Sequence, residues 1–251
     1  MLIIDVGCKR FGERVEIREL VLHSVRNLGT VEYALECRKI AQALAKSMGI
    51  VEGTEDYQMF EAFVVLKKQA EDIRYPWDSS LPQWMLLFCD GHILIAHPVP
   101  KYARLFKNMF DFWQYSWETL LEREGDCEDK GILICSLLRI LGYEAYTVIG
   151  YVEIEGQKYG HGWAEVKIGS ESYIMEGTLS PQILNKISYK TYFQKMKCSD
   201  LYGKLYHPIL KFNEEKLEIV GTEQEVAERL KLKPKMKLRK RHKKLIKLLF
   251  E

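Results

Sequence analysis

The chain has 251 residues, of which 47% are hydrophobic and 29% charged, and a formal net charge of +2. This is the composition of a globular protein long enough for one sizeable domain with appendages, or for two small ones. No apolar run approaches the ~20 residues of a membrane span, so no transmembrane segment is expected. Residues 1–8 lack a basic stretch and hold too short an apolar run for a signal peptide, which predicts a cytoplasmic protein. The six cysteines (8, 37, 89, 127, 135 and 198) follow no regular framework and include no Cys-x-x-Cys pair, a pattern that predicts reduced thiols.

In chain order, residues 1–54 read as an N-terminal accessory region. A short strand over 2–6 is expected to pair with one over 14–20. A helix follows over 30–47, supported by Val31, Ala34, Leu35, Ile40, Ala41 and Leu44, with Gly49 closing it. A second helix is expected from Thr54 to Ile73, broken by Tyr75-Pro76-Trp77-Asp78. It opens a central unit over 55–190, within which 79–112 read as an insertion. Cys89, His92 and His97 offer metal-ligand chemistry, but Asp90-Gly91 between two apolar triplets predicts a hairpin turn instead, and no metal site is expected. Tyr102, Phe106, Phe110 and Trp113 would share one face of a helix. No glycine-rich loop that could cradle a phosphate is present, and no cofactor is implied.

The segment that points to a particular chemistry is Gly125-Asp126-Cys127-Glu128-Asp129-Lys130, followed by an apolar run from Ile132 to Leu141. Asp126 is a good N-cap and Asp129 a plausible reciprocal partner, so Cys127 falls in the first turn of a buried helix, where free N–H groups and the helix dipole favour a thiolate. Gly142 is placed to end that helix. Strands are expected over 144–155, 161–168 and 173–176. They carry His161 and Glu176, which are 34 and 49 residues beyond Cys127. Strand, turn and strand fit the 15 residues between the histidine and the glutamate, which predicts cross-strand neighbours. Glu165 is a competing acid, but four strand residues separate it from His161, about 13 Å at ~3.3 Å per residue. Cys135 lies mid-helix and reads as core.

These three segments, Gly125 to Lys130, Gly160-His161-Gly162-Trp163-Ala164-Glu165-Val166 and Met175-Glu176-Gly177-Thr178, resemble the transglutaminase-like superfamily of papain-like fold. Trp113 to Leu120 is similar to the stretch that leads into the cysteine in bacterial and archaeal members. The resemblance covers roughly residues 60–178. It implies an α+β core in which the nucleophile-bearing helix packs on an antiparallel sheet. It also implies a triad of Cys127, His161 and Glu176 for thiol-based acyl chemistry on amide or isopeptide bonds of a protein or peptide substrate. An oxyanion formed in such chemistry needs donors, for which the Cys127 N–H, Gln114, Trp113 and Trp117 are candidates. Gly177 stands where the family often has proline.

Residues 191–228 read as a C-terminal extension, with a helix around 189–193, a strand at 216–220 and a helix over 223–230. Residues 229–251 form a basic tail of eleven Lys or Arg against one Glu, a net charge of +10 that leaves −8 on the rest. Such a run can meet nucleic acid or another polyanion, although the basic stretch lacks aromatic residues for base stacking. The alternative to an enzyme is therefore a non-catalytic module of the same fold, delivered to a polyanion by this tail. Nothing in the chain fixes an oligomeric state.

Overall fold

The computed structural model describes residues 3–4, 15–75, 86–89, 92–95, 113–154, 156–222 and 225. Strand β1 (Ile3–Ile4) pairs antiparallel with β2 (Val15–Glu16). The expected second strand over 14–20 is cut short, because α1 (Ile17–Arg26) begins at Ile17. Ile17, Leu20, Val21 and Ser24 are its buried residues, a spacing of three and four that suits a helix burying one side. Asn27 alone separates α1 from α2 (Leu28–Met48), accepting the Thr30 N–H at 3.2 Å as N-cap. Gly49, at φ 71°, ends α2 as expected. Thr54 caps α3 (Glu55–Asp72) by accepting the Tyr57 N–H.

Strands β3 (Leu86–Cys89) and β4 (His92–Ile95) pair antiparallel with Cys89 opposite His92, as the hairpin reading requires. His97 and the aromatic face through 102–110 lie outside the described residues, as do the expected helix over 223–230, apart from residue 225, and the basic tail. Helix α4 (Ser116–Glu122) ends at Arg123, whose φ of 53° is left-handed. Helix α5 (Cys127–Ile140) follows at once. Gly142 is left-handed at φ 91°, and its N–H and that of Tyr143 close the helix on Arg139 and Leu138 carbonyls.

Then come β5 (Glu144–Ile154), β6 (Gln157–Ile168) and β7 (Glu171–Met175), an antiparallel meander. Short helices α6 (Pro181–Leu184), α7 (Tyr189–Lys195) and α8 (Cys198–Leu201) lead to β8 (Tyr206–Phe212) and β9 (Leu217–Ile219). The sheet order is β7-β6-β5-β8-β9, so β8 and β9 extend the meander on its other side. Pro208 sits inside β8 where pairing with β5 shifts register at Gly150. A Cβ on Gly150 would lie 2.1 Å from the His207 carbonyl oxygen, so only glycine permits this crossing.

Helix α5 is the centre of the molecule. Ile132, Leu133, Ile134, Cys135, Leu137 and Leu138 are fully buried, in one cluster with Ile17, Leu20 and Val21 of α1, Ala34 and Ala41 of α2, and Val65 and Leu66 of α3. Burial of each large side chain contributes about 1.5–3 kcal/mol before conformational entropy is subtracted. A buried carboxylate, Glu61, ties three helices together. It accepts from Arg38 at 2.9 Å and from the Tyr143 hydroxyl at 2.6 Å, while Arg38 also donates to the Leu141 carbonyl. The helical layer covers one side of the sheet, and Gly131 lets α5 approach β6 until an added Cβ would stand 3.0 Å from the Trp163 carbonyl oxygen. Among the described residues no helix is long and apolar enough to cross a membrane.

Candidate active site

The first turn of α5 is built by acids. Asp126 is the N-cap and forms a capping box with Asp129, whose Oδ2 accepts the Asp126 N–H at 3.2 Å. The other oxygen of Asp129 accepts the Gln114 N–H at 2.8 Å, so one buried carboxylate clasps the preceding loop to the helix start. Gly125 is required here, because a Cβ would stand 2.9 Å from both Asp129 Cβ and Thr119 Cγ2. From outside the helix, Arg74 grips the same loop: its N–H donates to the Arg123 carbonyl, its carbonyl accepts from Gly125, and its guanidinium pairs with Glu124. Cys127 is thus the first helical residue, 9% exposed, at the positive end of the dipole. Its Sγ donates to Glu128 Oε2 at 2.7 Å.

His161 stands on β6 and Glu176 just past the end of β7. His161 Nε2 and Glu176 Oε2 are 2.8 Å apart, which realises the expected neighbourhood. Oε2 also accepts from the Tyr206 hydroxyl at 2.8 Å, and Oε1 accepts the Thr178 N–H at 3.0 Å and its hydroxyl at 2.6 Å. Tyr192 locks the backbone, accepting the Glu176 N–H and donating to the Ile174 carbonyl. Burial alone would raise this carboxyl, but the His161 charge and the bonds from His161, Thr178 and Tyr206 outweigh it and bring Glu176 to about 2. An ionised carboxylate only accepts, so His161 Nε2 carries the proton of this bond. The imidazole is stacked on Trp163, centroids 5.9 Å apart, with Tyr206 at 6.3 Å.

The two halves meet where β6 touches α5. A Cβ on Gly162 would stand 3.0 Å from Glu128 Cα, so strand and helix backbones are in direct contact there. Cys127 and His161 each lie one residue from that contact. The arrangement offers a thiol at a helix start, an imidazole on the adjoining strand, and a buried carboxylate orienting the imidazole.

The remaining candidates have distinct settings. Gln114 is buried, its backbone held by Asp129 and its Oε1 accepting from Thr119 at 3.3 Å. Trp113 is 1% exposed and stacked on Phe212. Trp117 stacks on Tyr115 and lines a groove with Tyr33, Leu120 and Leu121. Glu165 pairs with Lys211 at 2.7 Å and accepts from Tyr202. Cys135 is fully buried, and burial pushes its thiol up to about 12, as suits a core cysteine. Asp126, Cys127 and Glu128 bring two carboxylate oxygens and a sulfur within 4.8 Å of one another. Sequence reasoning did not single out Glu128, Thr178 or Tyr206. The first was visible as the neighbour of Cys127, whereas Tyr206 reaches Glu176 from 30 residues away and left no local signal.

Comparison with known proteins bears on this geometry. Residues 103–175 match the family model described as the transglutaminase-like superfamily. Comparison with curated proteins finds no match. Among solved structures, the chain is similar to calcium-bound LapG of Legionella pneumophila, with 18% identity and a TM-score of 0.34, over 75% of this chain and 88% of that one. A second structure of Legionella pneumophila LapG matches with 16% identity and a TM-score of 0.35, over 79% of this chain and 96% of that one. The matched residues 103–175 include both the helix that begins at Cys127 and the strand that carries His161.

Proposed function

We propose that the protein performs thiol-dependent acyl transfer on an amide or isopeptide bond, with Cys127 as nucleophile, His161 as general base and then general acid, and Glu176 as the orienting carboxylate. The observation that carries this reading is the 2.8 Å His161–Glu176 bond, formed beside the point where β6 meets the first turn of the Cys127 helix. Nδ1 of His161 takes the thiol proton and the thiolate attacks the carbonyl carbon. The imidazolium returns that proton to the departing amine as the C–N bond breaks, leaving a thioester. Water, deprotonated by the same imidazole, then attacks the thioester and releases the acid and the free thiol. Hydrolysis is favoured over transfer to an amine because water is the abundant acceptor.

The oxyanion donors in this reading are the Cys127 N–H and the Gln114 amide. Gln114 is supported by its clasp to Asp129 and by Thr119, which fixes Oε1 and so turns the amide N–H groups the other way. Trp113 and Trp117 are assigned to packing, in the core and along the groove respectively. A protein or peptide is the substrate, a cytoplasmic setting keeps the thiol reduced, and residues 229–251, with a net charge of +10, bring the enzyme to a polyanion. The test is turnover of a panel of peptide and isopeptide substrates by the wild type and Cys127→Ala. Loss of turnover in the variant is expected; full turnover without the thiol rejects the mechanism.

A further inference from the structure

Alternation along β6 puts His161, Trp163 and Glu165 on one side of the strand, while Ala164 and Val166 enter the core shared with α5. Trp163 is fully buried in a second cluster with Val148, Ile174 and Tyr206. Its ring lies over the His161 imidazole, with 25° between the planes and 5.9 Å between the centroids, and Tyr206 meets it edge-on at 5.1 Å. The indole N–H donates to the Tyr202 hydroxyl oxygen at 3.3 Å, and that hydroxyl donates to Glu165 Oε2. Glu165 is held in turn by Lys211, whose Nζ donates to Oε1 at 2.7 Å and stands 5.7 Å from the centre of the Tyr202 ring. A continuous chain of hydrogen bonds thus runs from Lys211 to the ring that covers His161. Burial, and then the charge of Glu165, hold the Tyr202 hydroxyl far above the usual phenol range, so it stays a donor.

We propose that Tyr202 is a positioning residue that acts on His161 through Trp163, fixing the indole as the face on which the imidazolium rests. This rests on the triad of the preceding section. A tryptophan face attracts a cation within ~6 Å of its centre, and the contact between the two rings meets that limit. A thiolate needs a charged imidazole beside it, so the contact favours the ion pair over the neutral thiol and imidazole. The hydrogen bonds add to this. A carboxylate pulling on the Tyr202 proton makes that oxygen a better acceptor, and an indole whose N–H is donated carries more negative charge on its face. The same chain fixes the plane of the indole, and with it the orientation in which His161 Nε2 meets Glu176.

The experiment is an NMR titration of the His161 ring in the full chain carrying Cys127→Ala, so that no thiol contributes. Tyr202→Phe, Trp163→Phe and the two together are compared in that background, with folding verified by circular dichroism. Glu176 and Tyr206, which also face His161, are kept throughout. Tyr202→Phe should lower the imidazolium pKa by about half a pH unit and shift the Trp163 indole N–H signal, which has lost its acceptor. Trp163→Phe should lower the pKa at least as far. Adding Tyr202→Phe to it should change nothing more, because Tyr202 acts through the indole. An unmoved His161 titration in Tyr202→Phe, with the indole signal shifted, overturns the proposal without any variant at Trp163. An equal drop from Tyr202→Phe with and without the indole overturns it too. Alkylation of Cys127 that proves independent of His161 in the otherwise native protein rejects the triad instead, while a lowered His161 titration still establishes the contact.

Discussion

Replacing Glu176 by glutamine keeps the size of the side chain and deletes its charge. In the wild type each carboxylate oxygen accepts two protons, one oxygen from Thr178 and the other from His161 and Tyr206. An amide has a single acceptor oxygen, and its NH2 must point at one of those two donor pairs. Burial works against the carboxylate, yet the His161 charge and the surrounding donors bring it from 4.5 to about 2. A displacement of that size corresponds to about 3 kcal/mol at ~1.4 kcal/mol per pH unit. Because the folded value is the depressed one, this stabilisation is complete above pH ~4.5 and is lost as pH falls toward ~2. Urea denaturation of wild type and Glu176→Gln at pH 7, 5, 4 and 3 measures it. Wild type should be the more stable by about 3 kcal/mol at pH 7, and the gap should close progressively below pH ~4.5. A gap that stays constant from pH 7 to 3 would refute the assignment of Glu176 as a buried, ionised acceptor.

Glu128→Gln removes a negative charge 2.7 Å from the sulfur. Alkylation of Cys127 at pH 7 should accelerate several-fold, since a like charge disfavours the thiolate; a slower reaction would mean that the carboxylate assists the thiol. Tyr206→Phe deletes one hydrogen bond to the ionised Glu176 and should cost about 1.5–3 kcal/mol in urea unfolding at pH 7, with less effect at pH 3; an unchanged midpoint removes Tyr206 from the support of the site. Gly162→Ala forces a Cβ to 3.0 Å from Glu128 Cα, backbone against backbone. The variant should lose at least about 100-fold in turnover while its circular dichroism spectrum stays native, because displacements near 1 Å cost that much in a positioned site. Full turnover would show that the strand–helix contact does not set the geometry.

Much of the site was legible because its residues announce themselves locally. Asp126 and Asp129 flank the cysteine at capping spacing, and Gly142 follows the last apolar turn, so α5 and the place of Cys127 within it could be read from single residues. His161 and Glu176 were separated by a length that fits two strands and a turn. The supports were hidden because they come from afar. Tyr206 and Tyr192 reach Glu176 from segments 30 and 16 residues downstream, and neither sequence position has a signature. Strand β8 was missed for a physical reason: Pro208 reads as a strand breaker, and it is tolerated only because Gly150 opposite it leaves room for a register shift. The strand expected over 14–20 failed the other way. Ile17, Leu20, Val21 and Ser24 carry a helical spacing, which ends the strand after Glu16. Glu128 was in plain view, but its contact with the sulfur depends on a rotamer that no sequence pattern fixes.

The most direct test of the account is the pH dependence of alkylation at each cysteine, located by mass spectrometry, in wild type and His161→Ala. The account predicts that Cys127 alone reacts quickly well below the reference thiol value of ~8.5, and that this low-pH reactivity vanishes without His161. Cysteines 37, 135 and 198, whose thiols burial pushes up to about 12, should stay inert in both proteins. If Cys127 titrates like a free thiol in wild type, or reacts identically when His161 is absent, the thiol and the imidazole do not act together and the proposed chemistry is wrong.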